Sequence, residues 1–151
     1  MKKISKKTEE VLDNLLDSML QDWELDKELI RDCFPLKKPY RNQASEALLT
    51  IETRMKKKLK LKSSLVGVDI VSEAAKLDVF KRDIISQGDG IQMLFRGSVL
   101  GIRNVLGHNK PKMEKEEAIK IILFADFLLK LFETLCKENK IKPKRKKRKI
   151  R

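Results

Sequence analysis

Residues 115–138 place apolar side chains on two sides of a single helix. Ala118, Ile121, Ile122, Ala125, Leu128, Leu129, Phe132 and Leu135 recur at helical spacing, and Leu123, Phe124, Phe127 and Leu131 add a second apolar face. A helix apolar on both sides needs two partners: its own core and something else, such as another subunit. The remaining chain must therefore supply amphipathic helices that wrap around this one. Its most apolar run, IILFADFLLKLF at 121–132, is interrupted by Asp126 and Lys130. It is too short to span a bilayer, so no membrane partner is expected.

Those wrapping helices can be read upstream. Residues 5–23 carry Val11, Leu12, Leu15, Leu16, Met19, Leu20 and Trp23 at helical spacing, with Asp13, Asn14, Asp17 and Asp22 between them. Asp26 is placed to cap a short helix that runs to Phe34, and Pro35 and Pro39 end it. The KKP at 37–39 reads as a linker. Residues 41–61 form a strong helix with the stripe Ala44, Ala47, Leu48, Ile51, Met55 and Leu59. Glu52 lies at the edge of that stripe, where a charge can reach a neighbouring helix. Asp69 opens a short helix, DIVSEAAKL. The stretch 78–90, ending in Gly-Asp-Gly, has no clear period and reads as a loop. A helix follows from about Ile91 to Leu106.

With six Gly and four Pro in 151 residues, and few alternating β-branched or aromatic runs, the fold class is all-α. The expected organisation is an acidic helical segment over 1–36, a helical domain over 40–139 and a disordered basic tail over 140–151. The charge supports this division. Residues 137–151 hold ten Lys/Arg and one Glu of a chain whose net charge is +13, whereas residues 8–34 carry nine acids against two bases. The low-complexity end, with Lys144, Arg145, Lys146, Lys147, Arg148 and Lys149, is the candidate RNA-binding surface, since such charges bind phosphate without reading sequence.

Cys33 and Cys136 are isolated and read as buried free thiols in a reducing compartment. With one histidine there is no metal-ligand cluster, and neither metal nor cofactor is expected. MKKISKKTEE has basic residues but no apolar run behind them, so a cytoplasmic location is expected rather than a secreted one.

The sole histidine, His108, ends the segment LFRGSVLGIRNVLGHN at 94–109. Leu94, Phe95, Val99, Ile102 and Leu106 share its buried side at 100° per residue. Arg96 and Arg103, seven apart, lie on nearly one face above Gln92. Gly97 and Gly101 are one turn apart and cost stability in a helix, so they fit a place where another backbone packs closely, here a dimer interface. Gly107 leaves open whether the helix stops there or carries His108 on it.

In either geometry Arg103, Asn104 and His108 can reach a common point, and the chemistry fits ribonucleolysis. RNA carries its own nucleophile, the 2′-OH. Histidine moves protons near neutrality, arginine presents a fork to phosphate, and asparagine orients phosphate or imidazole. An Arg/His pair at a helix end also serves capping and salt bridging, so spacing alone leaves both readings open.

The run RNVLGH at 103–108 resembles the motif of the HEPN superfamily, an Arg followed four to six residues later by His with a polar residue after the Arg. The wider LFRGSVLGIRNVLGHN resembles the Ymh-like family of bacterial and phage hypothetical proteins within it. The likeness extends to GVDIVSEAAK (67–76), ALLTIETRMKK (47–57) and EEAIKIILFADFLLKLFE, covering about residues 40–136. Val105 departs from the family's usual proline.

The resemblance implies an HEPN-like helical bundle that dimerises through the motif helix. It makes Arg103 and His108 catalytic and Asn104 and Glu52 supporting; Arg96, on nearly the same face as Arg103, is a further supporting candidate. The implied function is a metal-independent endoribonuclease of a toxin–antitoxin, abortive-infection or other phage-defence system, with RNA, a second copy, and an antitoxin or other defence protein as partners. The alternative is a non-catalytic helical domain that binds nucleic acid or a partner in such a system. A DNA-binding regulator fits less well, because no helix-turn-helix is visible.

Overall fold

The computed structural model describes residues 6–110 and 112–142, without the side chains of Glu9, Leu12, Leu16 and Gln21. The described residues form helices joined by turns, with no strand: α1 (Lys6–Asp22), α2 (Lys27–Cys33), α3 (Arg41–Leu59), α4 (Val68–Lys76), α5 (Ile85–Gly97), a π-helical segment (Ser98–Arg103), α6 (Asn104–His108) and α7 (Lys115–Glu138). No helix among them is long and apolar enough to cross a membrane. The six basic residues proposed to bind RNA, Lys144 to Lys149, lie outside the described residues.

The core is built on α3 and α7. The α3 stripe is buried as its spacing requires, with Ala44, Ala47, Leu48, Ile51, Met55 and Leu59 facing Ala118, Ile122, Ala125, Leu128, Leu129, Phe132 and Leu135 of α7. A capping box starts α7, in which the Glu114 amide donates to Glu117 Oε2 at 2.9 Å. Its second face needs no other subunit for most of its length. Leu123 packs with Leu20, Leu25 and Ile119 in a satellite cluster, and Phe124 and Leu131 pack on the main core. Phe127 remains half exposed.

Asp26 caps α2 as its position suggests, accepting from the Glu28 amide at 2.9 Å. Leu29 and Cys33 carry α2 into the main core. Asp26 also ties three helices together. Its own amide donates to Asp126 Oδ1 at 2.7 Å, and its carboxylate takes the Arg54 guanidinium at 2.9 and 3.0 Å. Asp126, which interrupts an apolar run in the sequence, is thus a buried acceptor that also pairs with Lys130 at 2.7 Å.

Two expectations change. First, Val11, Leu15, Met19 and Trp23 of the first apolar stripe stay about half exposed, whereas Leu20 is buried and Asp13 pairs with Lys115 at 2.5 Å. Second, α5 begins at Ile85, so the Gly-Asp-Gly read as loop is helix. Gly88 explains why: a Cβ there would lie 2.6 Å from the Phe80 carbonyl oxygen. The glycine permits close packing of the helix on the preceding loop.

Candidate functional site

The chain runs helically from Ile85 to His108, through Gly107, with Asn109 as the C-terminal cap. His108 is therefore on the helix, as its last residue. The run is not uniform. Over Ser98–Arg103 it opens into π-helix, in which each amide bonds five residues back instead of four. Ser98 Oγ donates to the Phe95 carbonyl at 2.7 Å at the start of this segment, and a serine competing for a helical carbonyl favours such a departure.

The π turns change which residues face inward. On a straight α-helix counted from Phe95, Arg103 sits about 80° round from the buried line. The wider turn carries it back toward the core, and buries Ser98 with Phe95, Val99 and Leu106. Ile102 is half-buried; Leu94, ahead of the π segment and about 100° round from Phe95, is exposed rather than on the buried side where its spacing placed it. The same turns take Arg96 and Arg103 off the seven-residue register that would align them.

Arg103 meets Glu52, which is 3 % exposed. Glu52 Oε2 accepts the Gly67 amide at 3.1 Å. Its Oε1 lies 3.3 Å from Arg103 Nε, an ion-pair contact whose angle leaves Oε1 without a hydrogen bond. On the other side Arg103 Nη1 donates to Asn104 Oδ1 at 3.2 Å. The arginine is thus held between a buried carboxylate and an amide, while 29 % of its side chain stays exposed.

A narrow crevice lined by Leu48, Glu52, Met55, Gly67, Phe95 and Val99 lies beneath it, with room for about 10 Å³. No ligand enters there. Whatever Arg103 binds must approach from its solvent side.

The structure therefore brings Glu52, Arg103 and Asn104 into one contact chain. Asn104 and His108 are one turn apart on α6, close enough to be side-chain neighbours. Among the described residues, no hydrogen bond or ion pair fixes His108 or Arg96, and His108 is exposed. Gly97 and Gly101 are exposed, and a Cβ at either would meet nothing within 4 Å. No backbone of a neighbouring element among the described residues approaches them. They share their helical run with exposed Met93, Leu100 and Val105. Sequence spacing located Glu52 at the stripe's edge, but the Gly67 amide had no signal beyond a glycine before a helix.

The thiols are remote from this chemistry. Both cysteines are free and buried. Burial pushes Cys33 up to about 12 and Cys136 up to about 11, so neither is a nucleophile near neutrality. Among the described residues, no group of three His, Cys, Asp or Glu side chains could hold a metal ion.

A family model described as "Protein of unknown function (Hypoth_ymh)" matches residues 23–132. The match begins before α2, so it takes in more of the acidic segment than the resemblance over 40–136 did. No curated protein matches, and no solved structure matches.

Proposed function

The chain belongs to the Hypoth_Ymh family, and we propose that it is a metal-independent endoribonuclease of the HEPN type, acting in the cytoplasm in a toxin or phage-defence system. The observation that carries this reading is Arg103, presented to solvent at a π turn while Glu52 and Asn104 hold it from behind and beside. π turns concentrate at functional sites.

The exposed fork of Arg103 would bind the scissile phosphate and offset charge on the pentavalent phosphorus. His108, one turn beyond Asn104, takes the proton from the 2′-OH. The 2′-oxygen then bonds to phosphorus, the bond from phosphorus to the 5′-oxygen breaks, and the leaving 5′-oxygen takes a proton. The products are a 2′,3′-cyclic phosphate and a 5′-OH. A second copy, packed on Gly97, Gly101 and the exposed apolar residues beside them, would supply a second His108 as the acid in a shared cleft. An antitoxin or other defence protein is a further partner in this reading.

The test is cleavage of total RNA by wild type and by His108→Ala, with end-group analysis in EDTA. New ends with 2′,3′-cyclic phosphate, absent from the variant, are expected. Activity lost in EDTA and restored by Mg²⁺ would overturn the mechanism. The non-catalytic alternative is favoured by one observation: the Glu52 carboxylate already pairs with Arg103. Under that reading Arg103→Lys unfolds or loosens the domain and no RNA is cut by either protein.

A further inference from the structure

We propose that the end of the bundle where α3 and α7 both stop is a binding shelf for the phosphate backbone of RNA, reaching toward Arg103. Its ligand rests on the ribonuclease reading above, but its geometry does not.

The two helices pack along each other and finish together, for Lys58 near the end of α3 pairs with Glu133 near the end of α7. Each terminates in the same way. Lys60 and Lys140 both take a left-handed conformation at φ 50°. The next amides, Leu61 and Ile141, reach back to the carbonyls of Lys56 and Cys136, at 3.0 Å each. These paired stops bring two lysine runs to one end of the bundle: Lys56, Lys57, Lys58, Lys60 and Lys62 from the end of α3 and the turn after it, and Lys137, Lys140 and Lys142 from the end of α7 and the turn after it. At that end an open groove of about 410 Å³ is lined by Lys58, Glu133, Thr134, Cys136, Lys137 and Ile141.

Structural needs account for only part of this charge. Cations near a helix C-terminus are favourable, but the effect fades beyond the last turn, and Lys62 and Lys142 lie past it. Among the described residues, Lys58 alone of these eight has a carboxylate partner, and Lys56 Nζ donates to the Ser63 carbonyl at 3.4 Å. No acid occurs between Glu52 and Asp69. Lys56 and Lys60, four apart, oppose one another. A polyanion laid across the shelf relieves that repulsion and releases its own counterions.

The position is what links the shelf to the site. Lys56 is one helical turn, about 5.4 Å along the axis, from Glu52, whose carboxylate meets Arg103. In sequence, Lys142 is followed by the basic run PKRKKRKIR. The eight shelf positions and their groove contain no aromatic side chain, so no base-stacking platform exists there. Recognition is of backbone charge, steeply dependent on salt and indifferent to base sequence.

The test measures binding rather than cutting, using a fluorescent 2′-O-methyl oligoribonucleotide that cannot undergo 2′-OH attack. The full chain carrying Lys57→Gln, Lys60→Asn and Lys62→Gln is compared with wild type and with Lys7→Gln, Lys27→Gln and Lys120→Gln, a charge-matched control with exposed lysines elsewhere. Asn is chosen at position 60 because it tolerates the left-handed backbone.

The shelf variant should bind at least tenfold more weakly near 0.15 M salt. The slope of log affinity against log salt should fall by about two, from roughly 0.7 per lost single-strand phosphate contact. The control should match wild type. Equal losses in both triple variants, or no loss in the shelf variant, would overturn the proposal. So would a shelf variant that loses binding to anionic phospholipid vesicles while keeping the oligonucleotide. If His108→Ala and wild type prove equally inert on RNA but these binding results hold, the catalytic reading fails and the shelf stands.

Discussion

Glu52 does two jobs with one carboxylate, and the two can be separated. Glu52→Gln keeps an acceptor for the Gly67 amide but removes the charge facing Arg103. The fold should survive, with cleavage falling by up to ~100-fold, the scale expected when a reacting group is misplaced by about 1 Å. Glu52→Ala removes the acceptor as well and should cost about 1–3 kcal/mol, visible in urea unfolding. Equal activity in Glu52→Gln and wild type would remove Glu52 from the positioning of Arg103. Asp26 offers a second separation. Burial alone would raise its carboxyl, but the Arg54 hydrogen bond, the Glu28 amide and the Arg54 charge outweigh it and hold the group below its ordinary value. An acid depressed in the folded state stabilises fully above its unfolded value of about 3.9, and that stability drains away as pH falls through the folded value. Asp26→Asn should keep the cap yet flatten the fall in melting temperature below about pH 4. Asp26→Ala should lose about 1–2 kcal/mol at neutral pH.

Helix positions were readable wherever apolar residues recur at one period, as in α3 and α7. They were not readable where packing overrides composition. The Gly-Asp-Gly before Ile91 looked like a breaker because an isolated glycine weakens a helix, yet Gly88 is there to let the Phe80 carbonyl approach. The π segment had no periodic signature either; a register change of one residue is invisible without the partner, Glu52, that rewards it. The site was therefore half visible: Arg103, Asn104 and His108 stand out by type and spacing, whereas the rotation that pins Arg103 and frees Arg96 from its side does not. The glycines now give a prediction of sign. Gly88→Ala should destabilise by about 1–3 kcal/mol through overpacking. Gly107→Ala, where a Cβ meets nothing within 4 Å, should stabilise by about 0.5–1 kcal/mol. Thermal unfolding of the two variants checks both directions.

The assembled molecule sets the remaining expectations. If two copies meet over Gly97 and Gly101, Gly101→Leu should leave the monomer folded but abolish a dimer at micromolar concentration, as read by sedimentation. A chain that sediments as a monomer before any substitution would leave His108 without a second acid in its cleft. Truncation should separate α1 from α2. Removing residues 1–22 deletes the buried Leu20 and the Asp13–Lys115 pair and should lower the melting temperature by a few degrees, since about 1 kcal/mol corresponds to roughly 2–8 °C over domains of this general size. Removing residues 1–34 also takes Leu29 and Cys33 from the main core and should cost far more. The half-exposed Val11, Leu15 and Met19 of α1 have a kinetic counterpart. Its backbone amides should exchange with deuterium through a partial opening in which that helix alone lifts away, while the amides around Ile122, Leu128 and Phe132 exchange only when the whole molecule unfolds. The protein would then live as two cooperative units of very different lifetime, with the candidate site built wholly on the slower one.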